Sequence, residues 1–323
     1  MDMSRRIGGG RLAIAIVALL MPWASPSAFD PGKAGFTIKY KDESSAYRIN
    51  AVFLMPGENL KLRIKDGDGA GFTLAFPSGT GDSATGSAAR REWDWKAPDS
   101  AGLYPMTVSR DGAADSILLN VFVMVPSAEM QGEYLRGYHI GKYPSSPLKG
   151  LDFYRAPRGF VEMDGKAAQA WVSPHFRLNQ FVCKQPSGLP AYLALKERLI
   201  LKLEALLEKA NEEGYACPTF HVMSGYRTPF YNRAIGNVKF SAHQWGGAAD
   251  IFIDANPEDG QMDDLNGDGK VDGEDSGVLF KLVDKMSLNE FFLPYLGGLG
   301  RYNRNESHGP FVHVDVRGFR AIW

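Results

Sequence analysis

The segment SAHQWGGAAD, residues 241–250, begins with a polar cluster and ends with an aspartate. Between His243 and Asp250 lie Gly246, Gly247 and two alanines, which contribute little packing surface. A Gly-Gly pair permits backbone angles closed to other residues and a close approach of neighbouring chain. We interpret the run as a device that aims a histidine and a carboxylate at one point, and a metal ion is the candidate for that point.

A second histidine next to a carboxylate occurs near the end of the sequence, in GPFVHVDVRG, residues 309–318. This stretch reads as a turn followed by a strand, so His313 and Asp315 are predicted to face the same side. Two imidazoles and one carboxylate are the protein ligands of many catalytic zinc sites, which leave a fourth position open to water. Bound zinc lowers the pKa of water toward about 7 and polarises carbonyls, which suits amide hydrolysis.

Three motifs in this order resemble the zinc D-Ala-D-Ala peptidase family. They are SGYR (224–227), the S-x-H-x-x-G-x-A-x-D pattern of SAHQWGGAAD, and FVHVD (311–315). The resemblance covers about residues 175–323, from FRLNQFVC (176–183) to Trp323. Members of this family cut peptidoglycan stem peptides as D,D-carboxypeptidases or murein endopeptidases. The resemblance therefore implies an α+β zinc peptidase domain whose partner is peptidoglycan.

The resemblance also assigns roles to individual residues. It implies that His243, Asp250 and His313 are the zinc ligands. It implies that Arg227 holds a substrate carboxylate or the developing oxyanion, a task suited to the fixed fork of guanidinium donors.

One position departs from the family pattern. Many members carry an acidic general base three residues before the last histidine ligand, where this sequence has Pro310. The nearby candidates are His308, Asp315 and Glu306. We predict that His308 carries protons, and that Asp315 either does so or fixes the ring of a histidine ligand. The alternative is a non-catalytic peptidoglycan-binding protein with a relic zinc site.

A second metal site is predicted in DLNGDGKVDGED, residues 264–275, which matches the calcium loop of EF-hands and dockerin-like repeats. The predicted calcium ligands are Asp264, Asn266, Asp268, Lys270 through its backbone carbonyl, Asp272 and Asp275. Ligands that are all oxygen select a hard cation. The residues before the loop do not resemble an entering helix, so we predict a structural clamp. A calcium-organised adhesion module is a further alternative for the whole protein.

The N-terminal residues 1–28 resemble a signal peptide, with a basic start, the apolar run LAIAIVALLMPWA and the small residues SPSA. The apolar run is short for a membrane span, so we expect a periplasmic or secreted protein without a stable span after cleavage.

The 323 residues carry a formal net charge of −1, which does not indicate a nucleic-acid partner. Cys183 and Cys217 would form one disulfide or remain two buried thiols.

Residues 35–126 read as an all-β, immunoglobulin-like sandwich that precedes the peptidase domain. The predicted strands are FTIKY (36–40), INAVFLM (49–55), residues 60–65, FTLAF (72–76) and SILLNVFVMV (116–125). In PDSAGLYPMTV (98–108), Tyr104 resembles the tyrosine of an immunoglobulin corner, which bonds back to the backbone. Residues 127–170 are predicted to be an ordered connector and 171–323 the peptidase domain, with helices at 189–213 and after Thr228.

Overall fold

The computed structural model describes residues 29–66, 69–76 and 91–323. The predicted signal peptide, residues 1–28, lies outside the described residues. Eight strands form the N-terminal part: β1 (Lys33–Tyr40), β2 (Glu43–Tyr47), β3 (Ile49–Leu54), β4 (Asn59–Ile64), β5 (Phe72–Ala75), β6 (Glu92–Lys96), β7 (Gly102–Arg110) and β8 (Ser116–Val123).

These strands form two four-stranded sheets that enclose one core, in the orders β2-β1-β4-β6 and β3-β8-β7-β5. Strand β4 shows why they pack in this way. Leu60, Leu62 and Ile64 are buried while the residues between them are exposed, as expected of a strand with one wet face. The five strands predicted from the sequence are present, while β2 and β6 were not predicted.

The expected bond of Tyr104 is present, because its hydroxyl donates to the carbonyl of Ser100 at 3.1 Å. Tyr104 lies inside β7 and does not precede it. Strands β3 and β8 pair in parallel within one of the two sheets. The immunoglobulin likeness of this sandwich stays a prediction.

The segment after the sandwich is ordered by short strands and many buried aromatic residues. Its strands are β9 (Val125–Pro126), β10 (Tyr134–Leu135), β11 (Tyr138–His139), β12 (Gly159–Met163) and β13 (Ala191–Leu193). Strand β12 pairs with β9 on one side and with β13 on the other. The connector is thereby tied both to the end of the sandwich and to the chain that follows.

A five-stranded sheet in the order β14-β15-β17-β16-β18 organises the C-terminal part. Its strands are β14 (His221–Ser224), β15 (Ala248–Phe252), β16 (Gly298–Tyr302), β17 (Phe311–Asp315) and β18 (Ala321–Ile322). The helices are α1 (Glu197–Glu212), α2 (Pro229–Ala234) and α3 (Gly273–Ser287). Helix α2 begins as predicted, since the Thr228 side chain accepts from the Tyr231 amide at 3.0 Å and Pro229 occupies the first turn.

The predicted helix over 189–213 is wrong at its start. Residues 191–193 form strand β13, and α1 begins only at Glu197. The apolar run AYLAL fits either a buried strand or a helix, and pairing with β12 supplies hydrogen bonds that decide for the strand. The end of the helix is as predicted, because Gly214 has a positive φ of 95° directly after it.

The sandwich has its own core and also contributes residues from its outer face to the core of the C-terminal part. Strand β3 is buried on both faces: Val52 belongs to the core inside the sandwich, whereas Phe53 belongs to the large core of the C-terminal part. Phe53 stacks on Phe122 of β8, with ring centroids 5.5 Å apart. At the edge of this interface the Lys41 ammonium pairs with Glu197 of α1 at 2.5 Å.

Among the described helices, none has the combination of length and apolar character needed to cross a membrane.

The two cysteines are separate buried thiols. The Cys217 thiol donates to the carbonyl of Thr219 at 2.9 Å, and Cys183 lies against Gln185. The two-thiol alternative is therefore the one that the structure shows.

Candidate metal centre

The register of two antiparallel strands brings the first pair of candidate ligands together. Asp250 of β15 lies directly opposite His313 of β17. Directly opposed residues project from the same face of a sheet, so both side chains point to one side. The Nδ1 atom of His313 lies 2.9 Å from the Oδ1 atom of Asp250.

The third candidate comes from a short 3₁₀ helix, Ala242–Trp245, which carries His243. This helix ends at Gly246, which has a left-handed φ of 64° and turns the chain into β15. A Cβ atom at Gly246 would overlap the carbonyl of Ala194, and one at Gly247 would overlap the ring of Phe153. The small residues of SAHQWGGAAD are therefore required by close packing behind the histidine.

His243, Asp250 and His313 converge on one point. The Nε2 atom of His243 lies 3.2 Å from Asp250 Oδ1 and 3.1 Å from His313 Nδ1. Within residues 29–66, 69–76 and 91–323, this is the one group of three or more His, Cys, Asp or Glu side chains whose ligand atoms all lie within 4.8 Å of one another. All three side chains are buried.

The far nitrogens of both rings are held by acceptors. His243 Nδ1 donates to the carbonyl of Gly225 at 2.6 Å, and His313 Nε2 donates to Asp315 Oδ2 at 3.2 Å. These bonds fix the tautomers, so that each ring presents a lone pair to the shared point. Acceptors placed in this way are typical of histidines that ligate metals, and the donor set therefore fits zinc.

The electrostatics of the group also favour a cation. Burial lowers the pKa of His243 and so favours the neutral imidazole that can act as a ligand. Burial alone would raise the pKa of Asp250, but the two histidines overcome this and lower it well below its usual value. For His313, burial lowers the pKa while Asp250 and Asp315 raise it more strongly. Two carboxylates thus hold positive charge at this point.

Asp315 is fully buried and has partners on every side. Its carboxylate accepts from the Gly298 amide at 2.7 Å and pairs with the Arg317 guanidinium. Its backbone carbonyl accepts from Lys202 of α1 at 2.8 Å. This surrounding locks the orientation of the carboxylate that accepts from the His313 ring. The two roles predicted for Asp315, fixing a ligand ring or transferring protons, stay predictions.

The sequence interpretation missed Lys202 and Arg317. Lys202 interrupts the apolar stripe of α1, one position before Leu203, and burial lowers its pKa to about 8. A charged residue at a buried helical position was the signal that could have identified it. Arg317 follows Asp315 by two residues in the strand pattern, which was a weaker signal.

Arg227 lies beside the group, and two nitrogens of its guanidinium are engaged there. Its Nε donates to the Ser224 hydroxyl at 2.8 Å, and its Nη2 donates to Asp250 Oδ2. Only 9% of the residue is exposed. In this structure Arg227 orients the ligand aspartate, and its predicted contact with substrate stays a prediction.

His308 contacts neither the ligand histidines nor Asp250 in the described structure. Its Nδ1 donates to the Gly309 carbonyl at 2.8 Å, and its Nε2 lies 2.8 Å from the Asn305 side-chain amide. Both ring nitrogens are thus occupied by neighbours in the loop. Its predicted proton-transfer role stays a prediction and requires a rearrangement of this loop.

The loop 264–275 leads directly into α3. Asp272 caps the helix by accepting from the Glu274 amide at 2.8 Å, and buried Asp275 accepts from the Leu265 and Asp272 amides. The Asp264 carboxylate accepts from the Gly269 amide at 2.7 Å. Calcium binding by these oxygens stays a prediction.

A protein-family model described as peptidase M15 matches residues 174–264. This segment is similar to peptidase M15. The match supports a zinc D-Ala-D-Ala peptidase-like domain and indicates a metallopeptidase type of hydrolase. No curated protein matches the chain.

The M15-like segment contains Arg227, His243 and Asp250 but ends before His313. The structure supplies the missing part, because β17 returns beside β15 and places His313 opposite Asp250. A family of zinc enzymes and a buried His-Asp-His group thus point to the same metal.

Proposed function

We propose that this protein is an exported zinc peptidase that hydrolyses an amide bond next to a D-amino acid in peptidoglycan. The single observation that carries the proposal is the buried convergence of His243, Asp250 and His313, in a chain whose residues 174–264 match peptidase M15. The signal-like residues 1–28 support export to the periplasm or the exterior. The motif resemblance supports peptidoglycan stem peptides or cross-links as the substrate.

His243 Nε2, Asp250 Oδ1 and His313 Nδ1 would hold the metal. When bound, zinc supplies Lewis-acid activation of a water molecule and of the substrate carbonyl. Arg227 fixes the orientation of the ligand aspartate and adds positive charge beside the reacting carbonyl. Asp315 holds the His313 ring through Nε2 and is held in turn by Arg317.

The test uses the full chain, purified muropeptides and a measurement of bound zinc by mass spectrometry. We expect one zinc ion per chain and new amine termini in the digested muropeptides. The variant His243→Ala should lose zinc and reduce cleavage by at least about 100-fold. His139→Gln is the matched control, because His139 lies on β11 outside the triad and its loss should leave zinc content unchanged.

Two outcomes contradict the proposal. Cleavage that persists in His243→Ala or under a chelator shows that the metal is not needed. Stoichiometric zinc and tight muropeptide binding without any turnover instead support the non-catalytic wall-binding alternative, which the proline at position 310 favours.

We propose in addition that residues 264–275 bind calcium as a structural clamp. The support is the spacing of the oxygen ligands and the position of the loop directly before α3. Calcium should raise the melting temperature of the full chain, and Asp264→Asn should reduce this gain. A melting temperature that does not respond to calcium contradicts this part of the proposal.

A further inference from the structure

A cavity of about 410 Å³ lies at one end of strands β15 and β17, and the three candidate metal ligands are not among its lining residues. Its walls include Phe252 of β15 and Pro310, which precedes β17. Phe252 follows the ligand Asp250 by two residues, so the two side chains project from the same face about 7 Å apart. The cavity thus opens on the face that carries the triad, at one end of the strands.

Lys184 lines this cavity as an exposed cation without a counter-ion. Among the described residues it makes no hydrogen bond and no ion pair. Its pKa is lowered by partial burial and by the charge of Arg227, while the charge of Asp250 opposes this shift. The ammonium group therefore lies within electrostatic range of the metal centre.

The backbone on both sides of Lys184 is fixed by buried neighbours. Gln185 accepts from the Thr228 hydroxyl at 2.6 Å and donates to the carbonyl of His139 at 3.2 Å. Cys183 is buried against the same threonine. The backbone of Lys184 is thus fixed at the rim of the cavity.

The other charged groups in the cavity wall leave it with an excess of positive charge. Arg304 makes one hydrogen bond, to the side-chain carbonyl of Gln261 at 3.2 Å, and Glu306 contributes the opposing carboxylate. His221 also lines the cavity and faces Asp254 at 3.3 Å. Two cations and one carboxylate favour an anionic ligand.

Arg227 is the cation that the family resemblance assigns to a substrate carboxylate. Its Nε and Nη2 atoms donate to Ser224 and Asp250, and the residue is almost fully buried. We propose that Lys184 binds a free carboxylate of the peptide substrate in this cavity, with Arg304 as a second cation along it. This proposal rests on the proposed peptidase function and assigns to it a specificity residue, Lys184, for a free carboxylate close to the scissile amide.

The test compares pairs of synthetic muropeptides that differ at one carboxylate, free in one member and amidated in the other. For wild-type full-length protein, amidation at the recognised position should raise KM about fivefold, the range of a single solvent-accessible ion pair. Lys184→Met should raise KM for the free carboxylate by a similar factor, leave KM for the amidated peptide unchanged, and leave kcat unchanged for both. Lys184→Arg should retain the preference.

Lys61→Met is the matched control, since Lys61 is an exposed lysine of β4 in the sandwich, and its KM values should equal those of wild type. If Lys184→Met cleaves both members of every pair as wild type does, Lys184 does not bind the carboxylate and the proposal is overturned. If wild-type protein cleaves no muropeptide at all, the peptidase function itself fails, which is a separate result. If Lys184→Met protein binds the amidated peptides as tightly as wild type at equilibrium, the variant is folded and has lost only the carboxylate contact.

Discussion

At the scale of single residues, the second carboxylate of the metal centre offers the clearest test. Asp315→Asn removes the acceptor charge that holds His313 and leaves the Arg317 guanidinium without its partner. We expect zinc affinity to fall about 10- to 100-fold, measured by competition with a chromogenic chelator. Asp284→Asn, which alters a partly exposed ion pair with Arg320, should leave zinc affinity unchanged, and an unaltered affinity in Asp315→Asn would show that this contact is dispensable.

The glycine behind the histidine gives a second prediction at this scale. Gly246→Ala combines a left-handed φ with an overlap on the Ala194 carbonyl, so it should reduce the free energy of unfolding by about 3 kcal/mol or more and displace His243. Gly112→Ala has a similar φ of +73° with open space around it. Its cost should be about 1 kcal/mol, with zinc binding intact. If urea unfolding shows that Gly246→Ala and Gly112→Ala lower the free energy of unfolding equally, the packing explanation is contradicted.

Residues near the metal were partly predictable because the chemistry restricts the choice of amino acid. A histidine and an aspartate at the ends of a glycine-rich run could be recognised without coordinates. The contact between Arg227 and Asp250 could not be predicted, because the two residues lie 23 positions apart in the sequence. The carbonyl of Gly225 that fixes His243 is likewise invisible in a sequence, since every residue has a carbonyl.

At the scale of elements, helix α1 is tied to the chain before it by a buried charge. Glu204 is 1% exposed and accepts from the ring and the backbone amide of His175. Burial lowers the pKa of His175, but the bond and charge of Glu204 raise it by more, above its ordinary value. Stability from a raised histidine pKa is fully present below the unfolded value of about 6.5 and is lost as the pH rises through the folded value.

We therefore expect His175→Gln to destabilise the protein more at pH 6 than at pH 9, by on the order of 1 kcal/mol. Urea unfolding at both pH values measures this difference. Glu204→Gln should remove the same pH-dependent part while the histidine stays in place. A destabilisation by His175→Gln that is equal at both pH values would contradict the assigned ion pair.

The elements themselves were predictable where one period dominated the sequence. The leucines of α1 and the alternation in β4 each specify a single structure; β4 occurs where expected, and α1 ends where expected although it begins later than predicted. The run at 191–195 satisfied two periods at once, and a partner strand at 161–163 decided between them. A partner that lies about thirty residues away in the chain is information that a local pattern does not contain.

At the scale of the whole molecule, the core shared by the sandwich and the C-terminal part predicts a single unfolding unit. Phe122→Ala removes a fully buried ring at this junction and should cost about 3–5 kcal/mol. Hydrogen exchange should then accelerate together in β4 and β15, although these strands lie in different sheets. Protection of β15 that survives the opening of β4 would show that the two parts unfold independently.

The junction between the sandwich and the C-terminal part was not predictable from the sequence. Strand β4 has one wet face, whereas strand β3 is buried on both sides. Its run of apolar residues, INAVFL, was compatible with that burial. What lies against the second face of β3 becomes clear only from the position of α1 in the structure.

Charged pairs border this junction. Lys33 and Tyr47 of the sandwich both bond to Glu208 of α1, and Glu43 pairs with Arg198. A chimera that replaced the sandwich with another β module would leave these helix carboxylates and guanidinium groups facing the wrong side chains. A functional chimera would therefore also need the matching surface of α1. The two halves cannot be exchanged independently of each other.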